Sequence, residues 1–238
     1  MLVSEREKME TPPSSKSTAD IAREVGKAIV SAVPMAGGPL QILFENVFSA
    51  PIEKRKQAWL EQLAEVVIEV QRRVDRLTTE KLATNETFVT VAMQASQMAI
   101  RNHQKVKLRA LRNTVLNSAL PNPPQEDEQM IFLRLVDQLT PWHLRVLGLF
   151  NDPVEWMKEN GITYSGWGIG GVSTVIEHCF PDLRGQRDTY EQIVRDLQTD
   201  GLVKEGKFLH ITMTGHGMVE ARTTDRGKCF IKFITSPS

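Results

Sequence analysis

Cysteine is scarce in this chain: among 238 residues the only thiols are Cys179 and Cys229. Two cysteines so far apart, without secretory flanks, argue against a disulfide framework and for a reducing, cytoplasmic setting. Net charge is missing as well, because 29 lysines and arginines face 29 aspartates and glutamates. Such a balance argues against a general binder of nucleic acid or membrane surfaces unless the charge is unevenly placed. Long apolar runs of the kind that span a bilayer, about twenty residues without breakers, are absent too. The opening residues MLVSEREKMETPPSSKST are charged, rich in Ser, Thr and Pro, and poor in apolar side chains. They do not read as a signal peptide, and residues 1–18 are expected to be a disordered tail.

Catalytic signatures are lacking in the same way. The loop SGWGIGG places glycines at 166, 168, 170 and 171. A phosphate-cradling loop leaves a strand, enters a helix and is followed by a lysine; here no strand signal precedes it and no lysine follows. It reads as a connection between helices. His178, Cys179, His210, His216 and Cys229 show none of the spacings of a zinc knuckle. Both cysteines fall on apolar helix faces, where burial raises a thiol's pKa and leaves it inert. The expectation is therefore no cofactor, no metal, no catalytic residue and no small-molecule substrate.

What is present is helical patterning and uneven charge. Residues 51–120 hold 12 basic against 7 acidic side chains, 121–138 hold 1 against 4, and 139–238 hold 11 against 12. The uncharged stretch AIVSAVPMAGGPLQILF, 28–44, is interrupted by Pro34, Gly37, Gly38 and Pro39, so it reads as two short apolar helices joined by a tight turn. Its apolar side chains, with those just beyond it, are Val33, Met35, Leu40, Ile42, Leu43, Phe44 and Phe48. As a segment over 28–48 they can bury themselves in the protein, serve self-association, or meet a bilayer on activation.

From Pro51 to about Leu77, Trp59, Leu63, Val66, Val67, Val70, Val74 and Leu77 recur at three- and four-residue steps, predicting one amphipathic helix. A second long helix is expected from Asn85 to about Ala119, capped by Thr84 or Asn85. Its small residues Ala92, Ala95, Ser96 and Ala99 suit the centre of a bundle. On one continuous helix Arg101, Lys105, Arg109 and Arg112 fall within about 80° of each other, a basic stripe fit for a phosphate, an anionic lipid or an acidic partner.

PNPPQEDE, 121–128, reads as a linker between a bundle over 19–120 and a domain over 129–238. That second domain opens with helices at Met130–Leu139 and at TPWHLRVLGLF, where Thr140 caps and Pro141 takes the first helical position. Helices follow over Val172–Cys179 and Gln186–Thr199. Extended runs are then expected around Leu202 and over Lys207–Met213, with turns at EGK and TGHG. A closing helix in TTDRGKCFIKFI is capped by Thr223 or Thr224. The fold expected is mainly α, a helical bundle plus a winged helix-turn-helix-like domain with a small β-hairpin. A winged helix reads DNA with the helix before its wing, and Arg184, Arg187, Arg195, Lys207 and Arg222 would be its phosphate contacts. The acids Asp188, Glu191, Asp196 and Asp200 beside them oppose that role and favour protein contacts.

The glycine- and proline-broken apolar segment near the start, the helix LTPWHLRVLGLF, and DLQTDGLV followed by TTDRGKCFIKF together resemble the abortive-infection alpha family, over about residues 20–235. The resemblance implies a bacterial cytoplasmic protein tied to phage defence, and it carries over no catalytic residues. The function expected is that of a non-enzymatic sensor or effector working through a protein partner or self-association. A DNA-binding regulator and a membrane-perturbing effector using 28–48 are the alternatives.

Overall fold

Apolar side chains at helical spacing organise the computed structural model, which describes residues 50–74, 78–163 and 168–237. Helix α1, Ala50–Arg73, carries Trp59, Val66 and Val70 on its buried face. The Trp59 indole N–H donates to Ser96 Oγ at 2.8 Å, so the aromatic is buried without leaving its one donor unpaired. The tail 1–18 and the apolar segment 28–48 lie outside the described residues.

A short helix α2, Thr79–Ala83, leads into α3, Glu86–Arg101, whose cap is Asn85, its side chain accepting from the Phe88 amide at 3.0 Å. The single long helix expected up to Ala119 is not formed. Asn102 and Gln104 are extended, and a separate helix α4, Lys105–Ser118, follows. The buried row Phe88, Val91, Ala95, Ala99 would continue one turn later at Asn102 or His103, and an unbroken helix would drive these polar groups into the core. Breaking at RNHQK lets the apolar faces of α3 and α4 pack on each other instead.

Helix α5, Glu126–Gln138, begins inside the stretch read as a linker, because Glu126, Asp127 and Glu128 sit in its first turn, where the macrodipole favours carboxylates. Only PNPP is left as a turn, with Asn122 in the left-handed region at φ 59°. Next come α6, Pro141–Asn151, and α7, Pro153–Glu159, whose cap Asp152 accepts from the Glu155 amide. Strand β1, Ile169–Gly170, leads into α8, Val172–Cys179, then a 3-10 turn at Pro181–Leu183 and α9, Arg187–Thr199. Strand β2, Met213–Thr214, runs into the single turn α10, Gly215–Met218, and α11, Asp225–Ile234, closes the chain.

The sheet differs from the hairpin expected between 202 and 213. β2 pairs antiparallel with β1, Ile169 opposite Thr214 and Gly170 opposite Met213. Leu202–Lys204 instead reaches Arg222–Thr224, through a bridge of Val203 with Thr223 and a bond from the Lys204 amide to the Arg222 carbonyl at 2.8 Å. Phe208 explains the difference: it is an anchor rather than a strand residue, buried edge-on against Phe150 with ring centroids 5.8 Å apart. The TGHG turn is the start of α10, with Thr214 Oγ1 accepting from the Gly217 amide.

Residues Ala58–Ser238 form one compact unit. Within it Phe132 of α5 stacks near Phe230 and Phe233 of α11, at 5.3 and 5.8 Å between centroids. Two asparagines of α4 close the C-terminus of α11. Asn113 Nδ2 donates to the Ile234 carbonyl at 3.0 Å, and Asn117 Nδ2 to those of Phe233 and Thr235 at 2.8 and 2.9 Å. These carbonyls have no partner inside their own helix, and a helix end buried without one is costly. The described structure is thus mainly helical with a small two-stranded antiparallel sheet.

Candidate functional site

The break at Asn102–Gln104 divides the basic stripe between two helices. Arg101, at the end of α3, pairs with Asp137 of α5 at 3.2 Å. Lys105, Arg109 and Arg112 remain together on one face of α4, spaced i, i+4, i+7. Lys105 and Arg109 are exposed and form no ion pair among the described residues, whereas Arg112 is half-buried and meets Glu69 of α1 at 3.0 Å. Glu69 also receives Arg73 at 3.1 Å, so one carboxylate holds two guanidiniums side by side. Glu65, Ile68, Glu69, Arg72, Arg73 and Arg112 line an open cleft of about 590 Å³ between α1 and α4. Lys107, on the opposite side of α4, is buried and donates from Nζ to the Asp137 carbonyl at 2.6 Å. Burial pushes its pKa below the usual lysine value, against the pull of the Asp137 carboxylate.

Of the five residues read as phosphate contacts, three are engaged by groups of the protein itself. Arg187 Nε donates to Glu191 at 2.6 Å, and Arg195 donates to Gln192 at 3.0 Å, both within α9. Glu191 also lies 2.7 Å from His210 Nε2, and its carboxyl pKa is held below the usual range, first by the Arg187 bond and then by His210. Arg222 is engaged inside the protein, its side chain 14% exposed, over the Phe208 ring at 5.0 Å and donating to the Gly217 carbonyl at 2.6 Å. Arg184 and Lys207 are exposed. Val33, Met35, Leu40, Ile42, Leu43, Phe44 and Phe48 lie outside the described residues.

Sequence reasoning missed a second, smaller cleft of about 170 Å³ between α5, α6 and α9, lined by Gln138, Leu139, His143, Asp196, Thr199 and Asp200. Here the Thr140 amide donates to His143 Nδ1 at 3.2 Å, with the Thr140 hydroxyl 2.7 Å from the same atom. That amide bond makes Nδ1 an acceptor, so Nε2 carries the proton toward Asp196, 3.2 Å away. Both ring nitrogens are thereby occupied. The imidazole ties α6 to α9 and has no lone pair left over for a substrate proton. The only sequence signal was TPWH, which places His143 at the third helical position, within reach of its own cap.

The glycine loop is shaped by backbone crowding. A Cβ on Gly171 would sit 2.6 Å from the Leu209 carbonyl oxygen, and that carbonyl accepts from the Ser173 amide at 3.0 Å. A carbonyl of the chain itself thus occupies the start of α8, where a phosphate would otherwise bind. Gly166 lies outside the described residues. Among the described residues no group of three or more His, Cys, Asp or Glu could hold a metal ion, and no helix is long and apolar enough to cross a membrane. Cys179 is buried, which pushes its thiol up to about 12, while Cys229 is exposed on α11. Comparison with protein-family models, with curated proteins and with solved structures finds no match to this chain.

Proposed function

We propose that this protein works by protein contacts rather than by catalysis, as a sensor or effector of bacterial phage defence acting in the cytoplasm. The observation that carries the reading is the outward face of α9. Its guanidiniums are engaged within their own helix, at Glu191 and Gln192, and the exposed Asp188 stands beside them. A helix entering a DNA groove must neutralise phosphates, and each carboxylate placed against them weakens binding. The order of helices α6 and α7, strand β1, helices α8 and α9, then β2 returning to pair with β1, supports a winged-helix variant in this half of the chain. Such a variant offers α9 as a contact surface for protein.

The defence assignment rests on the resemblance of LTPWHLRVLGLF and TTDRGKCFIKF to the abortive-infection alpha family. A mobility-shift titration with duplex DNA at low salt tests the contact reading. No shift is expected; duplex binding that falls steeply with added salt would replace it with a DNA-binding regulator.

A further inference from the structure

We infer that the cleft between α1 and α4 docks an acidic segment of another protein, one in which carboxylates flank an apolar side chain. The inference rests on the protein-contact reading and names its surface. Three arginines line it, Arg72 and Arg73 at the end of α1 and Arg112 of α4, and Lys105 and Arg109 share Arg112's face of α4. Only Glu65 and Glu69 oppose them in the cleft. Glu69 is already engaged by Arg73 and Arg112, while Arg72, Lys105 and Arg109 form no ion pair among the described residues. An excess of guanidinium in an open cleft suits carboxylates, which arginine holds in a two-pronged bond that lysine cannot make.

Two features narrow the ligand to a protein segment. Ile68, 49% exposed, stands among these charges and offers an apolar contact. Glu65 and Glu69 would face the phosphates of a nucleic acid laid along the cleft, whereas a peptide places its carboxylates at chosen positions and can avoid them. Charge complementarity of this kind sets partner choice and encounter rate more than raw affinity, so binding should be fast and sensitive to salt.

The test uses the full chain and a short fluorescein-labelled peptide of glutamates around a central leucine, followed by fluorescence anisotropy at low salt. Saturable binding is expected, weakened about tenfold in the double variant Arg72→Glu, Arg109→Glu. Replacing the leucine by serine should weaken it by a smaller factor. Both substituted positions are exposed, and an unchanged thermal melt shows that the variant is folded. Equal affinity of wild type and variant overturns the inference, as does no binding by wild type, or tighter binding of an oligothymidine of matched charge. Self-association of the wild type that the double variant abolishes would assign the cleft to a second copy and equally overturn it. If the peptide fails but cross-linking in the native cell still joins the chain to a protein, the cleft is the wrong surface and the contact reading stands. Duplex binding in the mobility shift removes both.

Discussion

Individual residues carry constraints that composition hides. Gly227, one turn into α11, would place a Cβ against the Leu202 carbonyl oxygen. The same carbonyl accepts from the Thr224 amide at 3.1 Å, and Thr224 Oγ1 donates to the Gly201 carbonyl at 2.6 Å. Backbone therefore packs on backbone where the turn after α9 meets the start of α11, and neither side can yield as a flexible side chain would. Gly227→Ala is expected to destabilise the protein by roughly 1–3 kcal/mol, measured as a lower denaturation midpoint at unchanged slope, although alanine is the better helix former. The thiols separate on the same grounds: iodoacetamide at neutral pH should alkylate exposed Cys229 in the folded protein and leave Cys179 unmodified until unfolding. Glu191 supplies a pH dependence. Its folded pKa lies below its unfolded value, so its bonds to Arg187 and His210 stabilise the fold above the ordinary carboxyl range. That contribution is lost as pH falls through the folded value. The stability difference between wild type and Glu191→Gln should hold steady near neutrality and vanish in acid.

At the scale of elements, periodicity and capping made most helices legible. Asn85, Thr140, Asp152 and Thr224 stand as caps where short polar side chains precede apolar rows, and Pro141 and Pro153 open their helices. Three things were not legible, each for a physical reason. RNHQK contains no proline or glycine, and only the polar side chains due on the buried row, Asn102 and His103, betray the break. EDE reads as loop by charge, yet acids are what a first helical turn favours. Strand pairing between 169–170 and 213–214 joins residues far apart in sequence through segments of two residues, too short for alternation to show. The basic stripe was read on a continuous helix and survives only over Lys105, Arg109 and Arg112. The His143 cleft needed the contact with Asp196, which sequence spacing does not reveal.

For the molecule as a whole, the sharpest question is whether the residues before PNPP and those after it unfold together. A proline-rich turn suggests independent parts, but the contacts across it are those of one core. Lys107 of α4 donates to the Asp137 carbonyl of α5, and Asn113 and Asn117 satisfy the carbonyls that end α11. Removing Asn113's side chain would leave the Ile234 carbonyl buried with no donor from α4, a loss of about 1–3 kcal/mol. If Ala58–Ser238 is one cooperative unit, Asn113→Ala should lower the protection of slow amides in α3 and in α9 by the same free energy, although among the described residues Asn113 bonds to α11 and not to α9. Hydrogen exchange under native conditions reads this directly, since amides that open only by global unfolding share a single free energy. Protection falling in α11 alone, with α3 and α9 unchanged, would mean that the two sides of PNPP unfold separately and that the asparagines merely hold a docked helix.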